Sequence, residues 1–217
     1  MSIKKEIGEI TEIYAQIKPE IEKRLKEFEN VWATYPDSKL FGELTFCLLT
    51  PQSKARLCWA SVERLISHDV LMTGTEKDIV KHLEGVRFHN NKTKNIIEAR
   101  DKFVQNGQFT LKSTIDEFTD MKEARDYLVA NVKGYGYKEA SHFLRNIGKG
   151  ADIAILDRHI LRNLVALKAI SEMPKSISRQ KYLDIENAMT KFAKKVKIPL
   201  AHLDIVFWFK AVGEIFK

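Results

Sequence analysis

The sequence predicts an all-α protein, and three observations carry that prediction. Apolar residues recur at intervals of three and four. The ten glycines and five prolines fall between such runs as punctuation. No stretch alternates in polarity for long enough to anchor a sheet. Ile3, Ile7, Ile10, Tyr14 and Ile17 share one helical face, and Ile21, Leu25, Phe28 and Trp32 continue it after Pro19, where a kink or a fresh helix start is expected. Tyr35-Pro36-Asp37 closes that unit. Phe41 to Leu49 is a dense apolar run stopped by Thr50-Pro51, and the next helix starts near Ser53. Lys77 to Leu83 is short and ends before Gly85; Lys92 to Val104 is helical up to Asn106-Gly107. Thr119 to Val132 turns Met121, Leu128 and Val132 inward. Another helix runs from about Tyr137 to Gly148, and Arg158 to Ala169 follows. Ile185, Met189, Phe192 and Val196 stripe the next one, and Pro199 suits the start of the last, which passes through Trp208. Ile153 to Leu156 is β-like in composition but too short to build a sheet. The total is about ten helices with short connections.

At 217 residues and 44% apolar, with 30% charged, the chain can bury one or two real cores and is not disordered. Lys+Arg minus Asp+Glu is 36 − 29, giving +7, a balance that favours anionic partners, nucleic acid first. Two cysteines, Cys47 and Cys58, exclude a four-thiolate cluster and a disulfide framework. No GxxxxGK[ST] is present, and the six histidines form no i, i+4 metal pair. The apolar runs are too short to span a membrane, and the charged start resembles neither a secretory nor a transit segment; a cytoplasmic protein is expected.

The informative stretch is Val132-Lys133-Gly134-Tyr135-Gly136-Tyr137-Lys138-Glu139-Ala140. Two helices joined by Gly-x-Gly suggest a tight turn in which the glycines permit positive φ and close approach of the backbone to a partner. The second helix then offers free N–H groups at its start, a phosphate site that needs no base contact. A plain αα-hairpin with a glycine C-cap has the same short signature; the basic chain shifts the balance to DNA. Lys138 falls in the first turn of that second helix, where a cation is disfavoured because the helix end is already partly positive. A neutral amine there is a carbon nucleophile; a lysine that merely touches phosphate fits equally well. Asp157, in Ile155-Leu156-Asp157-Arg158-His159, has the composition of an N-cap, and the same carboxylate can stabilise cationic charge on a sugar.

The run Gly134 to Gly148, with Lys138-Glu139-Ala140-Ser141-His142-Phe143-Leu144-Arg145-Asn146 at its centre, together with Ile155 to His159, resembles the helix-hairpin-helix DNA glycosylase superfamily. It is most similar to the type-two, archaeal-style 8-oxoguanine DNA glycosylase/AP lyases, over about Phe41 to Lys217. The resemblance implies that Lys138 is the Schiff-base lysine and Asp157 the essential carboxylate. It implies two lobes: residues 39–147 as a helical barrel ending in the hairpin at about 120–147, and residues 1–38 with 148–217 as the second. Trp208, otherwise an ordinary core residue, becomes a wall for the extruded base, and the terminal carboxylate of Lys217 reads the N1–H and N2–H edge of guanine, with Asp204 a weaker polar candidate nearby. Gly134, Gly136 and Tyr137 would meet the DNA backbone. Gln52, in Thr50-Pro51-Gln52-Ser53, would enter the duplex beside the extruded base, and Phe88 and His89, in Arg87 to Lys92, would form a second intruding turn with Phe88 as its wedge. The implied partner is double-stranded DNA containing oxidised guanine, met by a monomer without a membrane, in a nucleoid-associated setting if the source is a prokaryote. No metal or cofactor is required, though a monovalent cation on hairpin carbonyls would suit the superfamily. Without the four C-terminal cysteines of the iron–sulfur members, and without an N-terminal β domain, the cluster enzymes and the eukaryotic-type 8-oxoguanine enzymes fit less well. The same fold acting on an oxidised pyrimidine or an abasic site, and a non-catalytic DNA-binding module, are the rival readings.

Overall fold

The computed structural model describes residues 3–217 and is almost entirely helical. Helix α1 (Ile3–Thr34) is followed by α2 (Asp37–Leu49), α3 (Ala55–Ser67), the short α4 (Val70–Thr73) and α5 (Glu76–Lys81), then α6 (His89–Lys102). A two-stranded hairpin, β1 (Val104–Gln105) and β2 (Gln108–Phe109), leads to α7 (Leu111–Asp116), α8 (Met121–Asn131) and α9 (Tyr137–Asn146). The chain ends with α10 (Arg158–Ala166), α11 (Arg179–Val196) and α12 (Leu200–Val212).

Two sequence expectations are corrected here. Pro19 starts no new helix; α1 runs through it for 32 residues. Pro19 is exposed, so the carbonyl it leaves unbonded is open to water, while Ile17 and Ile21 on either side stay buried. The helix expected to reach Val104 stops two residues earlier, and Asn106 and Gly107, at φ 51° and 77°, close a tight hairpin with the left-handed pair that such a turn requires.

The buried apolar residues divide into two clusters. One gathers α2, α3, α6, α8 and α9 around Phe41, Leu44, Phe46, Phe103 and Phe143. The other packs Ile10, Ile17 and Ile21 of α1 against α10, α11 and α12. Helix α1 serves both, because Val31 near its end belongs to the first cluster. A buried ion pair ties α8 to α11: Arg125 Nη1 and Nη2 donate to Glu186 Oε1 and Oε2 at 2.7 and 3.0 Å. Glu186 Oε1 also accepts the Ala154 N–H at 2.8 Å, and the rings of Tyr137 and Tyr182 flank the guanidinium at 5.5 and 5.3 Å. Such a pair needs this many partners to offset its desolvation. No helix among the described residues is long and apolar enough to cross a membrane.

Candidate active site

The hairpin between α8 and α9 is built by one glycine more than by two. Gly134 has φ +90°, and a Cβ there would lie 2.4 Å from Asn95 Nδ2. Gly136 has φ −107° and ψ −176°, extended backbone open to any residue, so of the two glycines only Gly134 uses the positive φ that glycine permits. What Gly136 contributes is its N–H, which donates to Glu139 Oε2 at 3.1 Å. Tyr135 between them is buried and donates its hydroxyl to Leu44 O at 2.8 Å, pinning the turn to α2. The amides that begin α9 have no partner within the helix and form the anion-binding end. The side chain of Tyr137 turns inward, donating to Asp126 Oδ1 at 2.8 Å and packing on Tyr182, so it does not face outward from the turn.

Lys138 stands in the first turn of α9, with its side chain 25% exposed. Its Nζ lies 2.8 Å from Glu139 Oε1 and 3.5 Å from Thr50 Oγ1. The adverse field of the helix end is therefore opposed by a contacting carboxylate. Glu139 does two jobs, one oxygen on the lysine and the other on the turn. Sequence reasoning missed it, although a glutamate three residues after an N-cap is a known capping spacing.

Asp157 is the N-cap of α10, its Oδ1 accepting the N–H groups of His159 and Ile160 at 2.7 and 2.8 Å. Lys138 and Asp157 line the same cavity, about 750 Å³, which has residues of both clusters in its wall. Trp208 lines it from α12, edge-on to His159 at 5.5 Å between ring centres, with its Nε1 buried and unpartnered. Asp204 lines it one turn earlier. Burial, with Asp157 nearby, pushes its carboxyl up to about 7 against the pull of Arg145, whose Nη1 is 3.4 Å from Oδ2.

The segment after α12 runs back across the cavity. Arg56 of α3 forks onto Glu214 and stacks on the Phe216 ring at 4.8 Å. Lys217 lies in the cavity wall, and its ammonium is bound by Glu43 and sits 3.5 Å from the centre of the Trp59 ring. Glu43, fully buried in α2, also accepts from Asn146 Nδ2 at 3.3 Å. Burial pushes the Glu43 carboxyl up and the Lys217 amine down, each against the pull of the other. His142, also in the wall, is buried against Phe46, and burial together with Arg145 and Lys138 keeps its imidazole neutral, its pKa well below the usual value. Neither Glu43 nor His142 was singled out from the sequence.

The two turns expected to enter DNA share a conformation. Gln52 and Phe88 have φ of 58° and 57°, left-handed values uncommon for such residues, and both are exposed, Phe88 at 56%. Gln52 lies in the cavity wall. Phe88 does not, but its neighbour Arg87 does. His89 opens α6 with its ring Nδ1 3.3 Å from Val86 O. Among the described residues no group of three or more His, Cys, Asp or Glu is placed to hold a metal ion. Cys47 and Cys58 are free and buried.

Comparison with known proteins completes this description. Residues 21–198 match the family model described as 8-oxoguanine DNA glycosylase. A protein of Fusobacterium nucleatum called 8-oxoguanine DNA glycosylase/AP lyase is 44% identical over 97% of this chain and 97% of its own. The crystal structure of the Methanocaldococcus jannaschii 8-oxoguanine glycosylase/lyase in complex with a 15mer DNA containing 8-oxoguanine superposes with a TM-score of 0.87 at 36% identity, covering 97% of this chain and 99% of that one. The 8-oxoguanine DNA glycosylase of Thermotoga maritima gives a TM-score of 0.88 at 30% identity over the whole of both chains.

Proposed function

The chain belongs to the 8-oxoguanine DNA glycosylase family, and from that premise we propose that it removes 8-oxoguanine from duplex DNA through a Schiff base on Lys138 and then cuts the strand. The observation that carries this reading is the shared cavity: an amine at a helix-hairpin-helix and a helix-capping carboxylate line one space large enough for an extruded nucleotide. Basic side chains and the α9 amides grip phosphates with little sequence preference. The damaged nucleotide leaves the stack at a cost of roughly a few kcal/mol and enters the cavity against Trp208. There the carboxylate of Lys217 accepts N1–H and N2–H. The support for that role is the anchoring of the residue's ammonium on Glu43, which fixes residue 217 in the wall.

For the chemistry, Lys138 must lose a proton before it attacks. Glu139, with Oε1 at 2.8 Å, is a carboxylate within transfer distance. The amine then bonds to C1′ as the bond to the base breaks, and the base leaves with its electron pair and takes up a proton. Asp157 stabilises the positive charge that builds on the sugar. The C1′–O4′ bond then breaks as the nitrogen lone pair forms the C=N bond, O4′ taking up a proton; the protonated imine so formed acidifies the 2′ hydrogen, and its loss expels the 3′ phosphate. The turn carbonyls of the hairpin are hard oxygen donors suited to a monovalent cation, and no step of this scheme passes through one.

Borohydride reduction tests the proposal. The unaltered chain should form a covalent adduct on 8-oxoguanine duplexes, and Lys138→Gln should form none while still binding DNA. An adduct that persists in Lys138→Gln refutes the assignment.

A further inference from the structure

Lys92 sits in the first turn of α6 and is nevertheless only 6% exposed. Its ammonium has three donors, and they meet three acceptors: Leu49 O at 2.7 Å, Pro51 O at 2.7 Å and Ser53 Oγ at 3.2 Å. Leu49 ends α2, and Pro51 and Ser53 stand on either side of Gln52 and near its left-handed backbone. One buried cation thus satisfies carbonyls left bare by the end of α2 and ties down the turn that follows. The same Ser53 Oγ accepts the Arg87 N–H at 3.1 Å, and the Lys92 N–H donates to Phe88 O at 3.0 Å. The turn carrying Gln52 and the turn carrying Phe88 therefore meet at one ammonium and one hydroxyl. Thr50, inside the first turn, also reaches Lys138. An ammonium near a helix start, out of water, is unfavourable unless something compensates it. Here burial and Lys138 push the amine down, while the three acceptors need it charged.

We infer that Lys92 is a positioning residue for nucleotide extrusion: it holds the Gln52 turn and the Phe88 turn in one fixed relation, so that both enter the duplex beside the same nucleotide. The inference rests on the reading of those turns as the parts that enter DNA. Its consequence is selective. Steps that need the duplex opened depend on Lys92, and steps on a sugar already free of the stack do not.

The test uses the full chain with Lys92→Met, which keeps the length of the side chain and removes its donors. Single-turnover excision from 8-oxoguanine duplexes should fall about 100-fold, the scale of an ångström-sized misplacement. The fluorescence rise of 2-aminopurine placed beside the lesion should be lost. Borohydride adduct formation on a single-stranded abasic oligonucleotide should be unchanged. In a chain already carrying Gln52→Ala and Phe88→Ala, adding Lys92→Met should change duplex excision little, because residues that act as one unit are not additive. Equal loss on both substrates, an additive loss in that background, or no loss overturns the inference. Should Lys92→Met not fold, Ser53→Ala carries the same comparison with a smaller defect, again confined to the duplex; a defect on both substrates or on neither overturns it. If the unaltered chain forms no adduct on the abasic strand, the Schiff-base reading falls instead.

Discussion

Substituting Asp204 by asparagine isolates one buried carboxyl whose proton is linked to folding. Its native pKa is pushed up to about 7 from the ordinary 3.8, by burial and by Asp157, with Arg145 pulling the other way. Below pH 3.8 the group is protonated both in the native protein and in the unfolded chain, and its full contribution is present. Between there and about 7 the native state holds a proton that the unfolded chain has released, so stability falls as pH rises through that window. The difference is roughly three units, and at about 1.4 kcal/mol per unit it amounts to about 4 kcal/mol, of which about 3 kcal/mol lies between pH 5 and pH 8. Asparagine cannot titrate. At pH 5 the wild-type carboxyl is already neutral, so Asp204→Asn gives Arg145 a partner of similar strength there and should cost little; the slope across the range is what is informative. Urea unfolding of both proteins at half-unit steps from pH 5 to pH 8 supplies that slope, and other groups cancel in the difference. The expected result is a wild-type profile that drops by about 3 kcal/mol relative to Asp204→Asn over this range. Parallel profiles would refute the argument and mean that Asp204 is ionised in the native cavity.

The two hairpin glycines should respond differently to alanine. Gly134→Ala forces a left-handed φ on a residue with a Cβ and drives it into Asn95, so it should lower both thermal stability and DNA affinity, whereas Gly136→Ala should cost less than about 1 kcal/mol by calorimetry. Arg125→Met leaves Glu186 charged and buried and should destabilise by about 3–5 kcal/mol in urea. Replacing both partners with apolar residues of similar size should recover most of that loss.

How much of this was legible beforehand depends on what kind of interaction made each part. The helices were readable because their apolar stripes repeat locally: Ile185, Met189 and Phe192 are all buried on one side of α11. The limit at Pro19 was also local, since a proline signals a break unless one knows that its face meets water. The hairpin was legible from Gly134, whose conformation no other residue adopts easily. Glu43, Lys92, Arg125, Arg145 and Glu186 were not, because a buried charge and a surface charge look alike in a sequence. Their partners stand far along the chain, as with Lys217 on Glu43 or Glu186 on Arg125. The fold was thus written in short-range periodicity, while the supports of the site were written in long-range pairs.

The length of α1 has a consequence for the order in which the chain is made. At 32 residues it is about 48 Å long, and its first half packs against α12, with Glu6 meeting Lys210 at 2.7 Å. A ribosome releases the first of these partners well before the second. The earlier segments 37–147 can condense while translation continues, but Ile10, Ile17 and Ile21 are covered only as α10, α11 and α12 emerge. The nascent chain therefore carries an exposed greasy ridge until those later helices are made, and a chain that stops short of them leaves that ridge open.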